Sequence, residues 1–228
     1  MTPQSATRTA GTKDGTAATA KTPVERRAGD LRELAVADPV AARSEAWRWF
    51  EDAGRRAGSD RKAADAELNE LFRLGKPASG LDGPMDGILV MTTISGVVDP
   101  AARLITRLWM PWQGKSFHAD ADRGENRLVG SARWPAKLLW PRYSMRGASE
   151  GLLAFDFETY VEAGKVDPDR EVLVIDYAPV DDNPGLVIKS IRDELVEIVP
   201  GAYLGKILYR TGEDRHRNLG YFALRTPS

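Results

Sequence analysis

The chain contains no cysteine. Disulfide scaffolds, thiolate zinc sites, iron–sulfur clusters and cysteine nucleophiles are therefore excluded. The absence suits a reducing compartment, and the sequence reads as cytoplasmic. Histidine is scarce, with His118 and His216 the only two. A Ser-His-Asp triad would have to use one of them, and a zinc or haem site would lack nitrogen ligands. No metal or other cofactor is expected. Surplus charge is also missing: 32 Lys and Arg face 33 Asp and Glu. A broad nucleic-acid-binding face, which needs a basic surplus, is not expected. No apolar run approaches the ~20 residues that span a bilayer. The opening residues lack the apolar stretch of a secretory signal. Gly-x-Ser-x-Gly, His-Glu-x-x-His and a phosphate-binding glycine loop are all absent.

What is present divides into three textures. Residues 1–21 are rich in Thr, Ala and Gly and read as a disordered tail. Residues 22–75 read as a helical segment. "TPVE" puts Thr22 at an N-cap, Pro23 at the first helical position and Glu25 at the third, which is capping-box logic. Asp38-Pro39 and Ser59-Asp60 start two more helices, and Gly75 stops the third. From residue 76 onward the apolar runs become short and β-branched. Gly75, Gly80, Gly83 and Gly87, with Pro77 and Pro84, first mark a stretch too broken for a helix or a central strand.

The runs that follow read as roughly eight strands. They are Gly87–Ser95, Arg127–Trp134, Leu152–Val161, Glu171–Tyr177, Gly185–Ile191, Glu194–Val199, Ala202–Arg210 and Asn218–Arg225. Asp99-Pro100 offers a short helix among them. Many short strands with turn residues between, and no βαβ alternation, predict a mainly β fold: an antiparallel barrel over 76–228 behind an N-terminal helical segment.

Gly83 and Gly87 in "GPMDG" have the spacing of a Gly-x-Trp-x-Gly motif, with Met85 at the Trp position. "WQGKSF" (Trp112–Phe117) is similar to the Trp-x-Gly-Lys-x-Phe stretch that follows this motif in the uncharacterised GXWXG-type domain family. Over residues 68–225 the layout resembles that family. The resemblance implies a lipocalin-like or fatty-acid-binding-like barrel and no known reaction.

"HADADRGEN" (His118–Asn126) places oxygen ligands at alternate positions, as calcium loops do, but the twelfth position holds Ser131 rather than Glu. It reads as a hairpin turn. "WMPWQGKSF" offers Trp109, Trp112, Phe117 and Lys115, either as a ligand-facing rim with the lysine meeting an anionic end, or as a barrel plug with the lysine in water. In Leu152–Val161, strand alternation puts Leu153, Phe155 and Phe157 on one face and Asp156, Glu158 and Tyr160 on the other. Either set could line the lumen. Asp176 shares a face with Val172 and Val174, an apolar setting that raises a carboxyl pKa and makes it the first candidate for a proton carrier. Asp193 and Glu194 face opposite ways, which suggests a structural pairing for one of them. Tyr203, Ile207 and Tyr209 share one face of their strand.

Three functions follow. The first is binding of a small, largely apolar molecule inside the barrel, held by Trp109, Trp112, Lys115, Phe117, Tyr203 and Tyr209. The second is a metal-free acid–base enzyme, an isomerase, cyclase or dehydratase acting on a hydrophobic metabolite. Asp176, Asp156 or Glu158 would carry its proton, and Tyr160 or Tyr177 would be the donor. The third is a structural or partner-binding protein. The helices near Trp47 and Trp49 would form its interface: the two lie about 200° apart on a helix, so both cannot face one core, and something must cover the other, either the barrel or a second chain of a homodimer.

Overall fold

The computed structural model describes residues 20–93, 112–132, 137–138, 140–148, 151–185 and 187–227. Three helices come first: α1 (Pro23–Ala37), α2 (Pro39–Arg56) and α3 (Arg61–Leu74). Each begins where a side chain satisfies an otherwise unpaired backbone N–H. The Thr22 hydroxyl accepts from Glu25 N at 3.0 Å while Glu25 accepts from Thr22 N at 2.7 Å, completing the capping box. Asp38 and Asp60 accept from Ala41 N and Ala63 N at 2.9 and 3.0 Å.

Ten strands follow among the described residues: β1 (Lys76–Pro77), β2 (Gly83–Thr92), β3 (Trp112–His118), β4 (Arg123–Leu128), β5 (Arg146–Gly147), β6 (Leu152–Ala163), β7 (Glu171–Asp176), β8 (Ile191–Val199), β9 (Ala202–Arg210) and β10 (His216–Arg225). Eight of them close a ring in the order β2–β3–β4–β6–β7–β8–β9–β10, with β10 pairing back onto β2. All pairings are antiparallel. The fold is thus the mainly β, closed antiparallel barrel behind a helical segment that the sequence pattern predicts.

Alternation sorts side chains into two cores. Leu173, Ile175, Leu195, Tyr203, Ile207 and Phe222 fill the inside of the ring. Their neighbours Val172, Val174, Val196, Leu204, Tyr221 and Ala223 face outward and meet Trp47, Phe50, Leu68, Leu71 and Phe72 of the helices. Both wall surfaces on that flank are largely apolar, which explains the continuous apolar runs Val172–Ile175 of β7 and Tyr221–Leu224 of β10. Trp47 and Trp49 are each covered within the chain. The Arg225 guanidinium lies 4.4 Å over Trp47, and that of Arg27 lies 4.2 Å over Trp49. Of the two covers the sequence left open, the barrel or a second chain, both tryptophans find theirs within this chain.

Several strand boundaries differ from expectation. β2 starts at Gly83 rather than Gly87, inside the stretch read as too broken for a strand. "WQGKSFH", read as a rim, is β3. The turn read over His118–Asn126 narrows to residues 119–122, because β4 already begins at Arg123. The expected strand Arg127–Trp134 ends at Leu128, followed by a short 3-10 turn over Gly130–Ala132. Most of the expected strand Gly185–Ile191 is lost, since Ile188–Ser190 is another such turn. The Asp99-Pro100 helix, Trp109, and the expected tail up to residue 19 lie outside the described residues.

Candidate functional site

Two irregularities build the interior site. The first is in β3. Strict alternation puts Trp112 and Lys115 on opposite faces, but the register shifts between Trp112 and Gly114 against β4. This bulge turns both side chains inward. Glycine makes it possible at two points. Gly114 sits at φ 141°, and a Cβ there would lie 2.0 Å from the Met85 carbonyl oxygen. At Gly87 a Cβ would lie 2.5 Å from the Trp112 ring. The glycines of "GPMDG" and "WQGK" therefore fit one another across the β2–β3 pair.

The second irregularity is Phe155 in β6, at φ 54° in the left-handed region. The kink frees two backbone groups, and both find side chains. Phe155 N donates to the Tyr143 hydroxyl at 2.5 Å, and Asn126 Nδ2 donates to Phe155 O at 3.2 Å. Tyr143 also stacks on the Phe155 ring, centroids 5.2 Å apart. The kink shifts the phase of the strand. Leu152 and Ala154 belong to the inner core ahead of it, Phe155 and Phe157 after it. The uniform alternation expected for Leu152–Val161 is corrected accordingly.

Four polar side chains from different parts of the wall meet inside. The Lys115 ammonium, fully buried, donates to Asn126 Oδ1 at 3.0 Å, to the Tyr177 hydroxyl at 2.5 Å and to Asp193 Oδ2 at 2.9 Å. Tyr177 donates to Asp193 Oδ2 at 2.9 Å, and Asn126 Nδ2 donates to the Tyr177 hydroxyl at 3.2 Å. Trp112 Nε1 donates to Asn126 Oδ1 at 3.1 Å. Rings of Phe157, Tyr177, Phe222 and Trp112 surround the ammonium at 5.2 to 5.8 Å, a favourable setting for a desolvated cation. Burial pushes the Lys115 pKa down and that of Asp193 up, while each partner's charge opposes the shift in the other. Burial, with the Asp193 charge beside it, pushes the Tyr177 phenol well above its ordinary value, so it stays a hydrogen donor. Beside this cluster lies a cavity of about 30 Å³, lined by Trp112, Asn126, Phe155 and Tyr177 with Leu128, Ile188 and Ile191.

The expected site residues separate cleanly. Trp112, Lys115, Phe117, Tyr177 and Tyr203 are inside. Phe117 packs edge-on against Phe157 at 5.5 Å. Tyr209 packs partly buried against the same core, and neither it nor Tyr203 lines the cavity. Burial carries the Tyr203 phenol up to about 12. Lys115 neither points to water nor waits for an anionic ligand end, because Asp193 already pairs with it.

Asp156, Glu158, Tyr160 and Asp176 are on the outer wall, and the expectation that they face a lumen is corrected. Asp156 pairs with Arg146 at 2.7 Å and Glu158 with Arg123 at 3.2 Å. Tyr160 donates to Asp176 Oδ2 at 3.1 Å. The physical reason is a choice of face: Val172 and Val174, which share the Asp176 face, pack under the helices, so the lumen side of β7 leads to Tyr177 instead. Asn126 and Asp193 were missed as site residues. Asp193 stands between Ile191 and Leu195 on one strand face, the same apolar setting that singled out Asp176. Asn126 was read only as an oxygen ligand or turn residue of "HADADRGEN", and its turn-like neighbours masked a strand.

A second buried charge cluster on the outer wall is structural. Lys206 donates to Asp167 Oδ2 at 2.5 Å and to Asn69 Oδ1 at 2.6 Å, and Arg73 donates to Asp167 Oδ1 at 2.7 Å. These contacts clamp the loop after β6 between α3 and the barrel.

No helix of the described residues is long and apolar enough to cross a membrane. No family model matches the chain, and no curated protein matches it. One solved structure is similar, described as a protein from Thermomonospora curvata. It is 15% identical, with a TM-score of 0.43, over 78% of this chain and 99% of that one.

Proposed function

We propose that this protein binds a small, largely apolar molecule in the cavity of the barrel, beside the polar cluster of Asn126 and Tyr177. The observation that carries this reading is the meeting of an aromatic-walled cavity with a buried, cross-linked polar cluster. Ligand sites of this kind are mostly apolar with a few convergent polar groups. The cavity is small, so the ligand or its inserted part is compact. The resemblance to GXWXG-type domains belongs to this reading, because the residues that carry it, Gly87, Trp112 and Lys115, border the cluster. Native mass spectrometry of the purified protein tests it. A non-covalent adduct lost on denaturation supports binding. A clean dimer mass without an adduct favours a partner-binding role instead.

The second reading is acid–base catalysis in the same cavity, and it rests on Tyr177. Its hydroxyl borders the cavity and is held by Asp193 and Lys115. Tyr177 would donate to a developing oxyanion, with Lys115 stabilising the charge through it. Deuterium uptake at the α-carbon of a bound ketone, lost in Tyr177→Phe, would distinguish this from binding alone.

A further inference from the structure

Among the described residues that line the cavity, the side chains with a hydrogen-bonding group are those of Trp112, Asn126 and Tyr177. Each is already committed to protein partners. The indole N–H of Trp112 donates to Asn126 Oδ1. An amide side chain offers two lone pairs and two protons. Asn126 Oδ1 accepts from Trp112 and Lys115, and its Nδ2 donates to the Phe155 carbonyl and to the Tyr177 hydroxyl. A phenol offers one proton and two lone pairs. Tyr177 donates to Asp193 and accepts from Lys115 and Asn126. These side chains have no hydrogen bond left to give. Nearby backbone is spent as well. Phe155 N donates to Tyr143, and Ile191 N donates to Ile188 O.

This wall decides what can sit against it. A buried water needs two to four polar partners, and cavities that lack them stay dry. A hydroxyl or amide of a ligand would meet the same wall. It would give up its hydrogen bonds to solvent and receive none in exchange, which is costly. A charge fares worse. Lys115 and Asp193 already neutralise each other at 2.9 Å, so a carboxylate or an ammonium would find its counter-ion taken. Carbon has nothing to lose on entry, and it gains contact with Trp112, Phe155 and Ile191.

We infer that the cavity is dry, and that the part of the ligand seated in it is hydrocarbon: a compact alkyl group, uncharged and without a hydrogen-bonding atom. The polar cluster holds the shape of the pocket and does not read the ligand. The inference rests on the binding reading and adds the chemical class of what enters. It does not serve the catalytic reading, in which Tyr177 would have to leave Asp193.

Ethane and methanol test it, because they match in heavy atoms and differ only by a methyl group replaced with a hydroxyl. The full chain, methyl-labelled at isoleucine, is titrated with each and followed by NMR at Ile188 and Ile191, which line the cavity. Ethane under pressure should shift both methyl signals saturably. Methanol should bind at least about tenfold more weakly, a difference of ~1.4 kcal/mol. Methanol binding as tightly as ethane would overturn the hydrocarbon assignment and leave the binding reading standing. If neither probe shifts these signals, the inference falls, and the binding reading falls with it unless native mass spectrometry shows an adduct.

Discussion

Lys115 and Asp193 form an ion pair at 2.9 Å with neither side chain reaching solvent. They reach it from strands on different parts of the ring, so the pair ties the barrel together through its interior. Breaking such a pair strands a buried charge, which costs about 3–5 kcal/mol, whereas replacing both members with apolar groups is far milder. Lys115→Met should therefore lower stability in urea unfolding by roughly that amount. The double variant Lys115→Met/Asp193→Leu should recover most of the loss. A double variant no better than the single would mean that the pair's hydrogen bonds, and not its charges, dominate.

Gly114 should tolerate no side chain. Its φ of 141° and the 2.0 Å approach of the Met85 carbonyl both oppose a Cβ. Gly114→Ala should cost about 3 kcal/mol or more from strain and overpacking together. It should also disturb Trp112 and Lys115, visible as a change in near-ultraviolet circular dichroism. Ala at Gly130, where a Cβ would meet nothing within 4 Å, is the matched control and should change little.

Glu67 joins two helices in a way that depends on pH. It accepts from Trp49 Nε1 at 2.6 Å and from Arg56 at 2.6 and 2.9 Å. The Arg56 hydrogen bond holds its carboxyl below the usual value of 4.5, against burial, which raises it. A carboxyl with a depressed folded-state pKa adds stability that is complete above its unfolded value and lost as pH falls through the folded one. Glu67→Gln should thus cost about 1–3 kcal/mol near neutrality. The gap from the unaltered protein should shrink as pH drops below about 4.5. A gap unchanged down to pH 2 would refute the assignment.

Asp156 and Glu158 give the opposite expectation. Both are half-exposed and paired with arginines on the outer wall. Asp156→Asn and Glu158→Gln should each change stability by no more than about 1 kcal/mol. Neither should remove a co-purified adduct, whereas Tyr177→Phe, which alters the cavity lining, should weaken it. A loss of binding in Asp156→Asn would relocate the site to the outside of the barrel.

The sequence made the helices and the closed sheet legible because both are written in local patterns. Thr22 with Glu25 gives a cap at a fixed spacing, and Leu173 with Ile175 gives alternation. The site was half legible. Trp112, Lys115 and Tyr177 stood out by chemistry, but their directions did not. Alternation tells which residues share a face and not which face is inside, and here both faces of β7 are apolar. Bulges then break the count. Lys115 joins Trp112 only through the shift in β3, and Phe155 changes sides only through a left-handed residue that no propensity favours. Asn126 and Asp193 became visible only when strands distant in sequence were brought together.

The ring closes where Gly87 of β2 meets Leu224 of β10. As the chain is synthesised, β2 emerges long before its partner, and β10 must find both β9 and β2 at once. Until then the sheet has two open edges and an apolar inner face. Such contacts between distant segments form slowly and leave the intermediate prone to sticking. The helices cannot shield the sheet early, because the outer wall they pack on is itself built largely from β7 to β10. The interval before β10 arrives is when this protein is most exposed to aggregation, and substitutions in β10 should reduce soluble yield more than their effect on the finished fold would suggest.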